Sequence, residues 1–275
     1  MLDRRTFLAG VAGAALASVR PPPHTHGRRR IGLQLYTVRA QLAQDFAGTL
    51  ARVAAIGYRE VEFAGYFGKD PLDIRALLRR HGLVAPAAHV QSITPGAPAE
   101  WRASLDAANL IGHRYVVVAW LPAELRRTLD DFRRLAQTLN RMATEARASG
   151  LRFAYHNHDY EFVPTEGRVP FDVLLAETDP QLVEIEMDLY WITKGGQDPL
   201  VYFARYPGRF PMVHVKDSMG PPDHRMVDVG AGTIDFRTIF AHSAQAGIQH
   251  YFVEHDEPPD AFASIRASYE YLRRL

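Results

Sequence analysis

The chain is 275 residues long, 47% hydrophobic and 23% charged, the balance of a globular protein with ample material for a core. Its formal net charge of +1 gives no electrostatic footing for a nucleic-acid backbone or a membrane surface, so a small neutral or polar partner is expected. The absence of cysteine removes thiolate catalysis and Cys-ligated zinc, and leaves His, Asp, Glu and water as metal ligands.

At the start of the chain, Asp3-Arg4-Arg5-Thr6-Phe7-Leu8 precedes an Ala/Gly/Leu stretch ending at Ala15-Leu16-Ala17. This resembles a twin-arginine export signal with a cleavage position near Ala17. The stretch is shorter than the ~20 residues of a comfortable bilayer span, so removal of the signal would leave no stable membrane insertion. Uncleaved, it would serve as an anchor. Residues 1–30 therefore read as export signal plus a Pro21-Pro22-Pro23 linker, with the periplasm as the expected destination.

From residue 31 onward, short apolar runs alternate with helical periodicities. The first unit is a strand over 31–36, then Phe46, Leu50 and Val53 at helical spacing. The second pairs Glu60-Val61-Glu62-Phe63 with a helix over about 71–81, and the third a strand over 84–89 with a helix over about 98–111. Tyr115-Val116-Val117-Val118-Ala119-Trp120 is the fourth strand, and its helix carries Leu129, Phe132, Leu135, Leu139, Met142 and Ala146 on one stripe. Strands near 152–156, 183–187, 211–216 and 250–254 alternate with helices near 170–178, 198–206, 235–247 and 260–273. Gly57, Gly82, Gly112 and Gly150 fall at successive helix ends, where a left-handed C-cap suits glycine. Eight such units predict a single (β/α)8 TIM barrel over residues 31–275. A doubly wound sheet would want an early glycine-rich phosphate loop, and none is present. Gly230-Ala231-Gly232 lies late and reads as a loop leading to the N-cap of the seventh helix.

Four polar clusters follow apolar runs: His156-Asn157-His158, Glu186-Met187-Asp188, His214-Val215-Lys216-Asp217 and Glu254-His255-Asp256. In a parallel barrel these strand ends converge on one mouth, and imidazole with carboxylate suits one divalent ion such as Mn, Zn, Co, Fe or Mg. The expected ligands are His156, Asp188, His214 and Glu254, with an Asp188 helix cap as the simpler alternative. His158 shares a strand face with His156, so either could be the ligand; His158 is assigned to substrate or proton transfer. Glu161 and Lys216 are further catalytic candidates, the ammonium being able to stabilise an enolate. Glu62, His89, Trp120, Trp191 and Tyr36 are expected to contact substrate, the aromatics as a wall for a sugar ring. Asp217 could be no more than a rim salt bridge or cap.

Several longer motifs carry a family resemblance. They are Ile31-Gly32-Leu33-Gln34-Leu35-Tyr36, Gly57-Tyr58-Arg59-Glu60-Val61-Glu62, Met187-Asp188-Leu189-Tyr190-Trp191, His214-Val215-Lys216-Asp217 and Val229-Gly230-Ala231-Gly232-Thr233-Ile234-Asp235-Phe236. Over residues 31–275 the chain resembles the sugar phosphate isomerase/epimerase superfamily of xylose isomerase-like barrels. The resemblance implies one divalent metal held by Asp188, His214, Glu254 and a strand-five residue, with a small carbohydrate as substrate. Where similar epimerases have a strand-five Glu, this chain has His156. That departure removes one of two paired acid/base groups and keeps two rivals open beside an isomerase/epimerase acting through an enediolate. One is a dehydratase or lyase that eliminates from a keto-sugar or 3-keto-glycoside; the other is a non-catalytic periplasmic sugar-binding protein. No nucleic-acid partner is expected, and a homo-oligomer is compatible with the sequence.

Overall fold

Eight short parallel strands close on themselves because each feeds a helix that returns the chain to the same end of the sheet. The strands are β1 (Ile31–Gln34), β2 (Glu60–Phe63), β3 (Val84–Val90), β4 (Tyr115–Val118), β5 (Arg152–His156), β6 (Val183–Asp188), β7 (Met212–Val215) and β8 (His250–Val253). Each pairs in parallel with its neighbour in sequence, and β1 pairs with β8 to complete a closed barrel. The computed structural model describes residues 30–90 and 98–275. The expected export signal and nearly all of its linker lie outside these described residues.

Alternation along the strands sorts side chains into two environments. Val213, Val215, Phe153, Tyr155, Ile185 and Met187 are buried in the main apolar core, while a separate cluster of Ala87, Tyr115, Val117, Ala154, Met212 and Phe252 forms a second one. The register pairs Phe252 with both Gly32 and His214, so this second cluster packs directly against the polar strand ends. Gly32 is required there: a Cβ at that position would fall 2.5 Å from the Phe252 ring.

Acidic N-caps start most of the helices. Asp45, Asp70, Asp198, Asp235 and Asp260 each accept backbone N–H bonds in a first turn, and Thr128 forms a reciprocal capping box with Asp131. Several elements depart from the sequence reading. β1 ends at Gln34 and tightens into a 3-10 turn, Leu35–Val38, because the Gln34 side chain accepts from Tyr36 N. β4 ends at Val118, which leaves Trp120 in a loop. The helix expected over 235–247 is two pieces, Phe236–Ala241 and Ser243–Ala246, and an extra helix, Leu189–Lys194, follows β6 at once. A small antiparallel hairpin, Asp217–Ser218 with Met226–Val227, rises after β7. Among the described residues no helix is long and apolar enough to cross a membrane.

Candidate active site

The ends of β1, β2, β3, β5, β6, β7 and β8 bring Gln34, Glu62, His89, His156, Glu186, Asp188, His214, Lys216 and Glu254 together as one polar assembly. His89 is the only one of these not fully buried. Its centre is His214, whose ring faces acidic groups on both sides. The Nδ1–H donates to Glu254 Oε2 at 2.8 Å and lies 4.0 Å from Asp188 Oδ2; the Nε2–H donates to Glu62 Oε2 at 2.6 Å and lies 3.2 Å from Glu186 Oε2. Burial opposes a charge on this ring, but Glu186, Glu254 and Glu62 outweigh it and hold His214 well above the usual imidazole range.

Asp188 performs two tasks at once. Its Oδ1 accepts from Tyr190 N and Trp191 N, both at 2.9 Å, and so caps the following helix. Its Oδ2 turns to the assembly, 3.1 Å from Lys216 Nζ and 3.7 Å from His156 Nε2. Burial raises its carboxyl to about 6 against the pull of Lys216. Lys216 sits among three carboxylates, at 2.8 Å from Glu254 Oε2, 2.9 Å from Asp256 Oδ1 and 3.1 Å from Asp188 Oδ2. Burial disfavours its charge, yet these neighbours hold its ammonium well above the ordinary lysine range. Glu254 is correspondingly held well below the carboxylate range, since Lys216 and His214 overcome the cost of its burial.

Just below lies a second group around Glu186. His89 Nε2 meets Glu186 Oε2 at 2.8 Å and Glu62 Oε2 at 3.3 Å, while His156 Nδ1 is 3.3 Å from Glu186 Oε2. Burial works against His89, but Glu62 and Glu186 raise it to about 9; His156 is lowered to about 3, first by burial and then by His214. Gln34 donates to Glu62 Oε2 at 2.8 Å and fixes it.

The donor set suits a divalent ion. Asp188, His214 and Glu254 present one ligand atom each within 4.8 Å of one another, and all three are buried. Hard carboxylate oxygens with imidazole nitrogen are the ligand types of Mn, Fe, Co, Zn and Mg sites. Buried carboxylate oxygens Glu62 Oε1 and Glu186 Oε1 have no hydrogen-bond partner among the described residues, a costly state that a cation relieves.

Other residues singled out in the sequence sit differently. Glu62 and His89 belong to the lower polar group rather than to an exposed mouth, because β2 and β3 aim them at Glu186 and His214. Glu161 is no free acid at the rim: it accepts from Tyr155 Oη through Oε1 and from His158 N at 2.9 Å through Oε2, and so fastens the loop after β5. Burial raises it to about 7. His158 lies past the end of β5, yet its ring stands 5.1 Å from that of His156, stacks on Tyr160 and approaches Trp191 at 5.5 Å. Burial, then the neighbouring His156 ring and the Lys216 ammonium, hold it well below the usual imidazole range. Trp191 adjoins the site, 5.5 Å from Lys216 Nζ. Tyr36 is 41% exposed under the Arg39 guanidinium, and Trp120 is 58% exposed on the β4 loop, so both side chains stand at the surface rather than in the buried assembly. Asp217 is a structural clasp, its two oxygens accepting from the N–H groups of Ser218, Gly230, Gly232 and Ile234. Gln34, Glu186 and Asp256 stand in the sequence motifs without a role of their own there. For Glu186 the signal was present: Glu184, Glu186 and Asp188 alternate with Val183, Ile185 and Met187, an acidic stripe of period two.

Comparison with known proteins agrees with this architecture. The chain is 26% identical over 253 residues to an inosose dehydratase of Lacticaseibacillus casei, covering 80% of this chain and 84% of that one. A solved sugar phosphate isomerase/epimerase of Parabacteroides distasonis is 28% identical, with a TM-score of 0.77 over 89% of this chain and 97% of the other. A zinc-bound IolI protein, 14% identical with a TM-score of 0.68 over 88% of this chain and 95% of that one, shares the fold. The family profile described as xylose isomerase-like TIM barrel matches residues 50–275, and the chain belongs to that family.

Proposed function

We propose that this protein is a metal-dependent lyase that removes a proton beside the carbonyl of a polyhydroxy ketone and expels a β-hydroxyl or β-alkoxyl group. The observation that carries this reading is the pairing of an anionic base with a cationic acid at one strand-end position: Glu254 Oε2 and Lys216 Nζ, 2.8 Å apart and both buried. Asp188, His214 and Glu254, with His156 beside them, would hold the divalent ion, which when bound polarises the substrate carbonyl and acidifies the adjacent C–H.

Glu254 keeps Oε1 for the substrate proton, since His214 and Lys216 both engage Oε2. The C–H electron pair becomes the new carbon–carbon double bond as the β C–O bond breaks, and the departing oxygen takes its proton from the Lys216 ammonium. Release of that proton from Glu254 Oε1 and uptake of one by the Lys216 amine restore the resting carboxylate–ammonium pair. Trp191 and His158 border this position and would orient the ring of the substrate. The inosose dehydratase relatives support the elimination reading, as does the imidazole of His156 where paired-carboxylate epimerases have Glu.

The test is incubation with cyclic and open-chain polyhydroxy ketones, following ultraviolet absorbance of the conjugated enone and product mass. Loss of water or alcohol is expected, and Glu254→Gln should slow it by about 10²–10⁴-fold. A product of unchanged mass would sink the lyase reading and favour a second one, isomerisation or epimerisation. That alternative draws on neutral His158, which could serve as the second base, and on the isomerase/epimerase structures.

A further inference from the structure

The lower polar group is more than a support for the upper one. Alternation along β6 stacks Glu186 one layer beneath Asp188, and three imidazoles from three other strands converge on its Oε2: His89 Nε2 at 2.8 Å, His214 Nε2 at 3.2 Å and His156 Nδ1 at 3.3 Å. Donor atoms of His89, His156, Glu186 and His214 all lie within 4.8 Å of one another. Ligands bonded at about 2.0–2.2 Å to one ion sit about 3.0–3.5 Å apart, close to the three separations from Glu186 Oε2. Glu62 and Glu186 are both 0% exposed, each with one buried oxygen lacking a hydrogen bond among the described residues. Lys216 gives them no relief, since its contacts go to Asp188, Glu254 and Asp256.

We propose that the barrel carries a second divalent-cation position beneath the first, formed by His89, His156 and Glu186 with Glu62 at its edge, and that His214 stands between the two. As a neutral imidazole, His214 ligates one position through one nitrogen and donates the other N–H to a carboxylate of the neighbouring position. His156 is divided in the same way, with Nδ1 toward Glu186 and Nε2 toward Asp188. The proposal uses donor geometry alone and requires no particular reaction, although it shares the upper position with the reading above.

The experiment is titration of the chelator-stripped full chain with Mn²⁺, following stoichiometry by calorimetry and electron–electron coupling by paramagnetic resonance. Two ions per chain with resolved coupling are expected. Glu186→Gln should bind one ion and lose the coupling. His89→Asn, a change at a half-buried site, should do the same if Glu186→Gln fails to fold. Asp188→Asn should also bind one ion, now in the lower position. A single ion in the wild-type chain, unaffected by either lower-group variant, overturns the second position. A single ion that survives Asp188→Asn but not Glu186→Gln upholds the lower position and overturns the upper one, on which the proposed lyase depends. No bound ion in any form overturns both.

Discussion

Replacing Lys216 with Met tests the electrostatics of the site most directly. The change keeps an aliphatic stem of similar length and removes an ammonium held at 2.8, 2.9 and 3.1 Å from three carboxylates. Glu254 and Asp188 are then left as buried charges with less compensation, a loss of about 3–5 kcal/mol when one partner of a buried pair is deleted. At roughly 2–4 °C per kcal/mol for a domain of this size, the metal-free melting temperature at pH 7.5 should fall by about 6–20 °C. The deficit should narrow toward pH 5, because Asp188, already raised to about 6 by burial, takes up a proton there. Since the ammonium competes for the same oxygens that would hold a cation, Mn²⁺ affinity should rise at least tenfold, about 1.4 kcal/mol, and metal should recover much of the lost stability. Turnover should fall despite the tighter metal, because the proposed proton donor is gone. Calorimetry with and without chelator measures these terms. A metal-free variant melting within about 2 °C of wild type, or one that binds Mn²⁺ more weakly, would refute this account of Lys216.

Asp217→Asn should be costly although it lies outside the ligand group: an amide can accept on one side only, so about two charge-assisted bonds are lost and about 3–5 kcal/mol with them. Denaturant midpoints report this, and a change under about 1 kcal/mol contradicts the clasp. Stability should also decline in acid through His113, which burial lowers to about 4 even though its Nδ1–H donates to Ala85 O. The unfolded ring, near 6.5, binds the proton that the folded ring refuses between these values. Its contribution is therefore complete above about pH 6.5 and falls away toward pH 4, by up to about 3 kcal/mol. His113→Asn should flatten that slope, and an unchanged slope would assign the acid sensitivity elsewhere.

The fold was legible because a barrel repeats one simple pattern: a buried run, a glycine or acidic cap, then an amphipathic stripe. Strand-end polar residues were legible for the same reason, since Asp188, His214 and Glu254 each interrupt an apolar run where the topology turns every strand the same way. What escaped was depth. Glu186 and Gln34 lie on inward faces of their strands, and although the period-two stripe marks Glu186 as inward-facing, their partners are 97 and 28 residues away in sequence, so nothing local tells what they meet. Glu161 misled for the opposite reason. A carboxylate after a His-rich strand suggests chemistry, but Tyr155 faces away from the barrel interior and its hydroxyl holds that carboxylate behind the strand. Asp188 shows why competing readings of one residue need not be rivals: its two oxygens answer to different masters, one to a helix N-terminus and one to Lys216 in the polar assembly.

The Asp217 clasp has an engineering consequence. By gripping Ser218 on one side and Gly230, Gly232 and Ile234 on the other, it fixes both ends of the segment that follows β7. Residues 219–225 between the hairpin strands are thereby a bounded insert, and doubling the length of such a loop adds only about 0.6 kcal/mol of closure entropy. Gly232 cannot change, since a Cβ there would lie 2.3 Å from Asp217 Oδ1, and His224 is fixed by Tyr190, whose hydroxyl donates to His224 O at 2.8 Å, so variation belongs at the exposed residues 221–223. Libraries confined to those residues would measure how much variation this loop tolerates while the clasp and the Lys216 ion pairs stay in register.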